Sequence, residues 1–274
     1  MKCLRSIGLS FVFFVTCGAC SSAQDAKLES ASLETLYNDL LASVQWEDGW
    51  PSKHDCDGTL WAGIACLGGV DTRISLAEAA PGQTERRPGP SCYPNESKTT
   101  TSKDMVTGYM GCLYKKGDLG ALERLADYGE AHSWAMGEPA SAVGEVLLDP
   151  NRQGLLGRLI MALGGRERDY ARIVPVHVPV TADYARHLQM IEIYLHGKEH
   201  GSISPLMMEL IRNNVRSDDG DAFFQALKGR YTGDFDKFQE LVSNPNYTFP
   251  SYVRGSEEYR KAHLLFALAV ALGK

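Results

Sequence analysis

The signatures that would fix a reaction are missing from these 274 residues. No G-x-S-x-G, Walker-type or G-x-G-x-x-G segment occurs. That removes the usual signs of a serine-hydrolase elbow, a phosphate loop and a dinucleotide site. Basic charge is in short supply. Lys and Arg number 28 against 34 Asp and Glu, a net charge of −6, so the chain lacks the clustered positive charge that nucleic acid requires. Beyond the N-terminus no stretch reaches 18 apolar residues, which excludes a polytopic membrane protein. The content is otherwise ordinary, 44% apolar and 23% charged, and excludes a disordered tail or a collagen-like fibre.

Residues 1–23 form an address. Lys2 and Arg5 give a positive start, Ile7 to Thr16 a short apolar run, and Cys17-Gly-Ala-Cys20-Ser-Ser-Ala23 two competing cleavage sites. Gly18-Ala19-Cys20 resembles the end of a bacterial lipobox, with Cys20 acylated, although Cys17 stands where an aliphatic residue is usual. Ser21 and Ala23 suit an ordinary cut before Gln24. Either way the chain is expected to be exported, to the bacterial periplasm or outer envelope, lipid-anchored or soluble. Residues 24–274 are expected to be one domain.

Export changes how the remaining cysteines read. Cys56, Cys66, Cys92 and Cys112 are an even set without metal-binding spacing, and an oxidising compartment favours disulfides. Cys56 and Cys66 on one helix would lie about 15 Å apart, beyond bridging distance. The expected pairs are Cys56 with Cys92, clamping a long loop to a helix start, and Cys66 with Cys112. The alternatives are 56–112 with 66–92, or buried free thiols at Cys66 and Cys112.

The domain reads as helices joined by turns. Helical spacing of apolar residues covers 28–44, 56–67, 103–116, 119–133, 152–163, 182–197, 204–216, 220–229, 235–243 and 256–272. Arg172 to Val180 looks strand-like, but Pro175 and Pro179 make it an extended connector. Gly117-Asp118-Leu119 and Gly233-Asp234-Phe235 form a weak repeat, in which Gly closes one helix and Asp caps the next. The expectation is an all-α fold of stacked antiparallel helix hairpins, a partial or complete α/α toroid, with one long ordered loop at 68–102.

Polar and aromatic residues concentrate in one third of the chain. Asp57 and Asp104, at neighbouring helix starts, are the candidate acid and base. Trp50, Tyr93, Trp134 and His132 are candidates for binding sugar, the rings by stacking on its faces. Arg86 and Arg87 are candidates for gripping an acidic group with two-pronged guanidinium bonds. Each acid has a plain alternative as a helix cap. His196-Gly-Lys-Glu199-His200 fits H-x-x-E-H, a zinc-hydrolase pattern, but Gly197 within it suggests a fraying helix end with solvated histidines.

The string Asp55-Cys56-Asp57, Arg86-Arg87-Pro88, Cys92-Tyr93-Pro94, Ser102-Lys103-Asp104-Met105 and Trp134-Ala135-Met136-Gly137 resembles a block in uncharacterised bacterial envelope proteins. The helix-pair layout is similar to that of α/α-toroid glycoside hydrolases and polysaccharide lyases. The resemblance covers about a third of the chain. It implies a cleft lined by acids and aromatics, with Asp57 and Asp104 as the matching acids. The leading expectation is therefore a carbohydrate-active envelope enzyme, a glycosidase or lyase acting on a poly- or oligosaccharide. The alternative is a non-catalytic lipoprotein, a helical binding or scaffold module. A zinc hydrolase through His196, Glu199 and His200 is the minor one. No cofactor, metal or nucleic acid is expected, and membrane contact only through a lipid on Cys20.

Overall fold

Ten α-helices make up most of what the computed structural model describes, which is residues 32–93, 100–138, 146–173, 175 and 178–274. They are α1 (32–42), α2 (Gly58–Leu67), α3 (Lys103–Lys116), α4 (Leu119–Ala131), α5 (Pro150–Ala162), α6 (Asp183–His200), α7 (Pro205–Ser217), α8 (Ala222–Thr232), α9 (Asp236–Val242) and α10 (Glu257–Leu272). The chain is all-α. No described helix is long and apolar enough to cross a membrane. The proposed signal segment and Cys20 lie outside the described residues.

The core is built around α2, every residue of which is buried. A helix apolar all round can only sit inside. α3 and α10 pack on it. Two glycines let α2 and α3 touch backbone to backbone. A methyl group on Gly63 would stand 2.5 Å from Gly108 Cα, and one on Gly108 would stand 2.9 Å from Leu60 Cα. One turn along, Cys66 and Cys112 form a disulfide with Cα atoms 5.5 Å apart. Cys56 and Cys92 form the second, also at 5.5 Å. Both expected pairs are present. Around this centre, successive helices from α3 to α9 pack on one another, and α10 returns to α2 and α8.

The long loop is more structured than expected. Its described residues hold a 3-10 turn, Ile74–Ala77, and a small antiparallel hairpin of β1 (Glu78–Ala80) and β2 (Gln83–Thr84). Glu78 pins that hairpin to α4 by accepting two 2.8 Å hydrogen bonds from Arg124. The described residues of the connector after Arg172 form no strand, as its prolines require.

The Gly-Asp repeat holds at its first copy. Gly117 closes α3 in the left-handed region at φ 70°, and Asp118 accepts from Ala121 N to cap α4. The second copy departs from it. Gly233 closes α8 in the same way, but α9 begins one residue later with Phe235 at the cap position; Asp234 Oδ1 still accepts from Asp236 N at 3.4 Å, while Oδ2 pairs with Lys228 at 2.7 Å. α6 corrects a second expectation. It does not fray at Gly197 but continues to His200 and closes at Gly201, φ 72°. Gly197 is needed for packing, since a methyl group there would overlap the Tyr231 hydroxyl.

Candidate functional site

Four of the residues singled out from the sequence gather at the joined starts of α2 and α3. Buried Arg86 donates from Nη1 to Asp57 Oδ1 at 3.4 Å and to the Cys56 carbonyl at 3.3 Å. The Tyr93 ring lies 5.6 Å from its guanidinium carbon. Asp57 occupies the cap position of α2 without using its side chain there. Burial pushes its carboxyl up, the negative charges of Asp104 and Asp55 add to that, and Arg86 opposes it. Asp104 lies in the first turn of α3. The Cys56–Cys92 bridge ties the loop to this corner.

The other candidates are placed differently. Trp50 is 2% exposed, with Nε1 donating to the Arg73 carbonyl at 3.3 Å, so it is a core residue with no face for a sugar. Arg87 is committed to backbone carbonyls, donating to Pro90 and Ser91 in its own loop and to His54 ahead of α2. Trp134 packs edge-on against Tyr170 at 4.7 Å, and His132 stacks on Tyr128 at 4.0 Å. Both belong to the far end of α4, and no described contact joins them to Asp57 or Arg86.

A cavity of about 320 Å³ opens where α3, α5 and α6 meet, lined in part by Lys103, Asp149, Arg152, Tyr184, Gln189 and Glu192. Its volume is in the range of small-ligand sites. Each wall follows from a local rule. Asp149 caps α5 and Pro150 opens it. Lys103 opens α3, next to Asp104, so the cavity and the acidic corner share one helix start. Tyr184, in the first turn of α6, is 63% exposed and offers its ring at the rim.

Arg152 organises the cavity. Its Nη2 lies 2.6 Å from Glu192 Oε1, Nη1 binds Asp149, and Nε donates to Thr107 Oγ1 at 3.1 Å. Glu192 is buried on α6, and burial pushes its carboxyl up to about 7 against the pull of Arg152. A carboxyl in that range can both give and take a proton at neutral pH. Gln189 is fixed by donating to the Val178 carbonyl at 2.8 Å and accepting from Asn214 at 3.1 Å. Sequence reasoning missed Glu192. Its one signal was a lone acid inside the apolar run Leu188 to Leu195.

Further along α6 come His196, Glu199 and His200, whose possible ligand atoms all lie within 4.8 Å of one another. Glu192 and His196 also line a smaller cavity beside Arg158.

A separate polar cluster is sealed in the core. Asp221 caps α8 through Phe223 N and Phe224 N, and it accepts a hydrogen bond from the Tyr252 hydroxyl. His263 Nε2 stands 3.7 Å from Asp221 Oδ1. Burial disfavours the charged form of both, pushing Asp221 up to about 7 and His263 down to about 3, so that His263 is neutral at neutral pH. The two groups act oppositely on stability. His263 costs stability as pH falls from 6.5 toward 3, while Asp221 returns some over 7 to 3.8. Asp221→Asn keeps an acceptor for the cap but removes the returning part. We expect thermal melts of this variant to fall more steeply with acid than those of the wild type. Parallel curves would show that Asp221 does not titrate as described.

Comparison with protein-family models, with curated proteins and with solved structures finds no match to this chain.

Proposed function

We propose that the chain is an exported envelope protein that binds an acidic oligo- or polysaccharide in the cavity between α3, α5 and α6 and acts on its glycosidic linkage. One observation carries this reading, a buried carboxyl, Glu192, near neutral pKa on the wall of a ligand-sized cavity. Glu192 serves as the proton donor or acceptor at the sugar. Lys103 contributes positive charge for a uronate-like group, and the exposed Tyr184 ring offers a surface for a pyranose. Asp57, Asp104 and Arg86, reached past the shared start of α3, extend the site along the polymer. The two disulfides support export. The succession of packed helices, with α10 returning to α2, supports a toroid-like layout. A lipid on Cys20 would hold the domain at a membrane surface.

The test is a polysaccharide panel, comparing wild type with Glu192→Gln, Asp57→Asn and Asp104→Asn. Glu192→Gln is expected to lower turnover by about 10²–10⁴-fold, the usual worth of a general acid or base, with binding retained. Full activity in Glu192→Gln overturns its role. Binding without turnover in the wild type selects the alternative, a carbohydrate-binding module.

A further inference from the structure

We propose that His196, Glu199 and His200 form a binding site for a divalent transition-metal ion of the zinc type, beside the Glu192 cavity. The three positions are spaced i, i+3 and i+4, so on a continuous helix they project from one face. The helix runs through Gly197 without a break, and the missing side chain there leaves room for the Tyr231 hydroxyl. The cluster is therefore held within one regular turn.

Glu199 Oε2 stands at its centre. It is buried and makes no close hydrogen bond. Around it lie His200 Nε2 at 3.3 Å, Arg158 Nε at 3.4 Å and His196 Nδ1 at 3.8 Å. A buried carboxylate oxygen held only by long contacts of this kind is under-satisfied, which is costly. A cation shared with the two imidazoles would satisfy it. Two imidazole nitrogens and one carboxylate oxygen suit zinc and its neighbours, and they do not suit calcium or magnesium, which prefer all-oxygen shells. Three protein donors also leave a coordination position open to water or substrate.

Arg158 does not block the site. Its Nη1 is anchored away from it, donating to the Ile173 carbonyl at 2.8 Å and the Ala171 carbonyl at 3.4 Å. Its Nε then orients Glu199 from outside, as outer partners of metal ligands do. Access is from the His200 side, where the side chain is 45% exposed, while His196 and Glu199 are 15% and 9% exposed. Among the other described histidines, His187 and His263 are buried in the core and His54 and His132 are exposed, none of them in a ligand cluster.

The experiment uses the untagged, disulfide-intact chain, titrated calorimetrically with zinc chloride and, separately, with cobalt chloride monitored by visible absorption. The expected result is one equivalent bound, with a cobalt spectrum of low coordination number. His196→Ala and His200→Ala should each weaken binding by about 100-fold or more, beyond what outer partners usually cost. Unchanged circular dichroism shows that the variants fold. Glu199→Gln, nearly isosteric, should lose the cobalt signature while the helix persists. No saturable binding, or binding equal in wild type and both histidine variants, overturns the proposal. The readout is metal binding alone, so it stands or falls separately from the action on carbohydrate.

Discussion

Replacing Cys66 and Cys112 together by Ala is expected to lower the unfolding free energy by about 4 kcal/mol, the chain-entropy value for a closed loop of this size. The bridge spans a sequence separation of 46 and joins the two helices at the centre of the core. Both cysteines are buried, at 2% and 0% exposure, so no solvent relaxation is available to the truncated site. Guanidinium unfolding of wild type and double variant measures the difference. A loss below about 1 kcal/mol would mean that the α2–α3 contact is held without the bridge.

Gly63→Ala is the second large effect, expected at about 3 kcal/mol or more, the upper part of the range for overpacked cores. The added methyl group meets the Gly108 backbone, which has no rotamer to change. Helix propensity pulls the other way, favouring Ala over Gly by about 1 kcal/mol, so the sign of the result decides which effect governs. Relief requires α2 and α3 to separate, which the adjacent Cys66–Cys112 bridge resists. Denaturant melts give the value. A variant as stable as the wild type would contradict the close crossing.

The helices were legible because their information is local. Apolar spacing over a dozen residues defines a buried face without knowing the partner, and the start of α3 at Lys103 after Ser102 follows from that alone. The disulfide partners were legible because an even count, the expectation of export and helix geometry together leave few pairings. The site was legible only in part. Asp57, Arg86, Tyr93 and Asp104 belong to one corner because the Cys56–Cys92 bridge brings the loop back to the helix starts. Glu192 was not legible, since its character comes from burial and from Arg152, 40 residues earlier. Trp50 and Arg87 misled for the converse reason. A tryptophan and an arginine in a polar stretch look available until the backbone carbonyls that they bind are known. Gly197 misled because a glycine that ends a helix and one that admits a neighbouring tyrosine have the same local sequence.

The most direct test of the account is the titration of the Glu192 carboxyl, followed by carbon-13 NMR with Glu192→Gln to assign the signal. The account predicts a midpoint near 7, well above the ordinary glutamate value of 4.5, and a change in that midpoint when an acidic oligosaccharide fills the cavity. A midpoint in the ordinary range, unmoved by any oligosaccharide, would contradict it: Glu192 would then be only the ionised partner of Arg152, and the cavity would lose its reacting group.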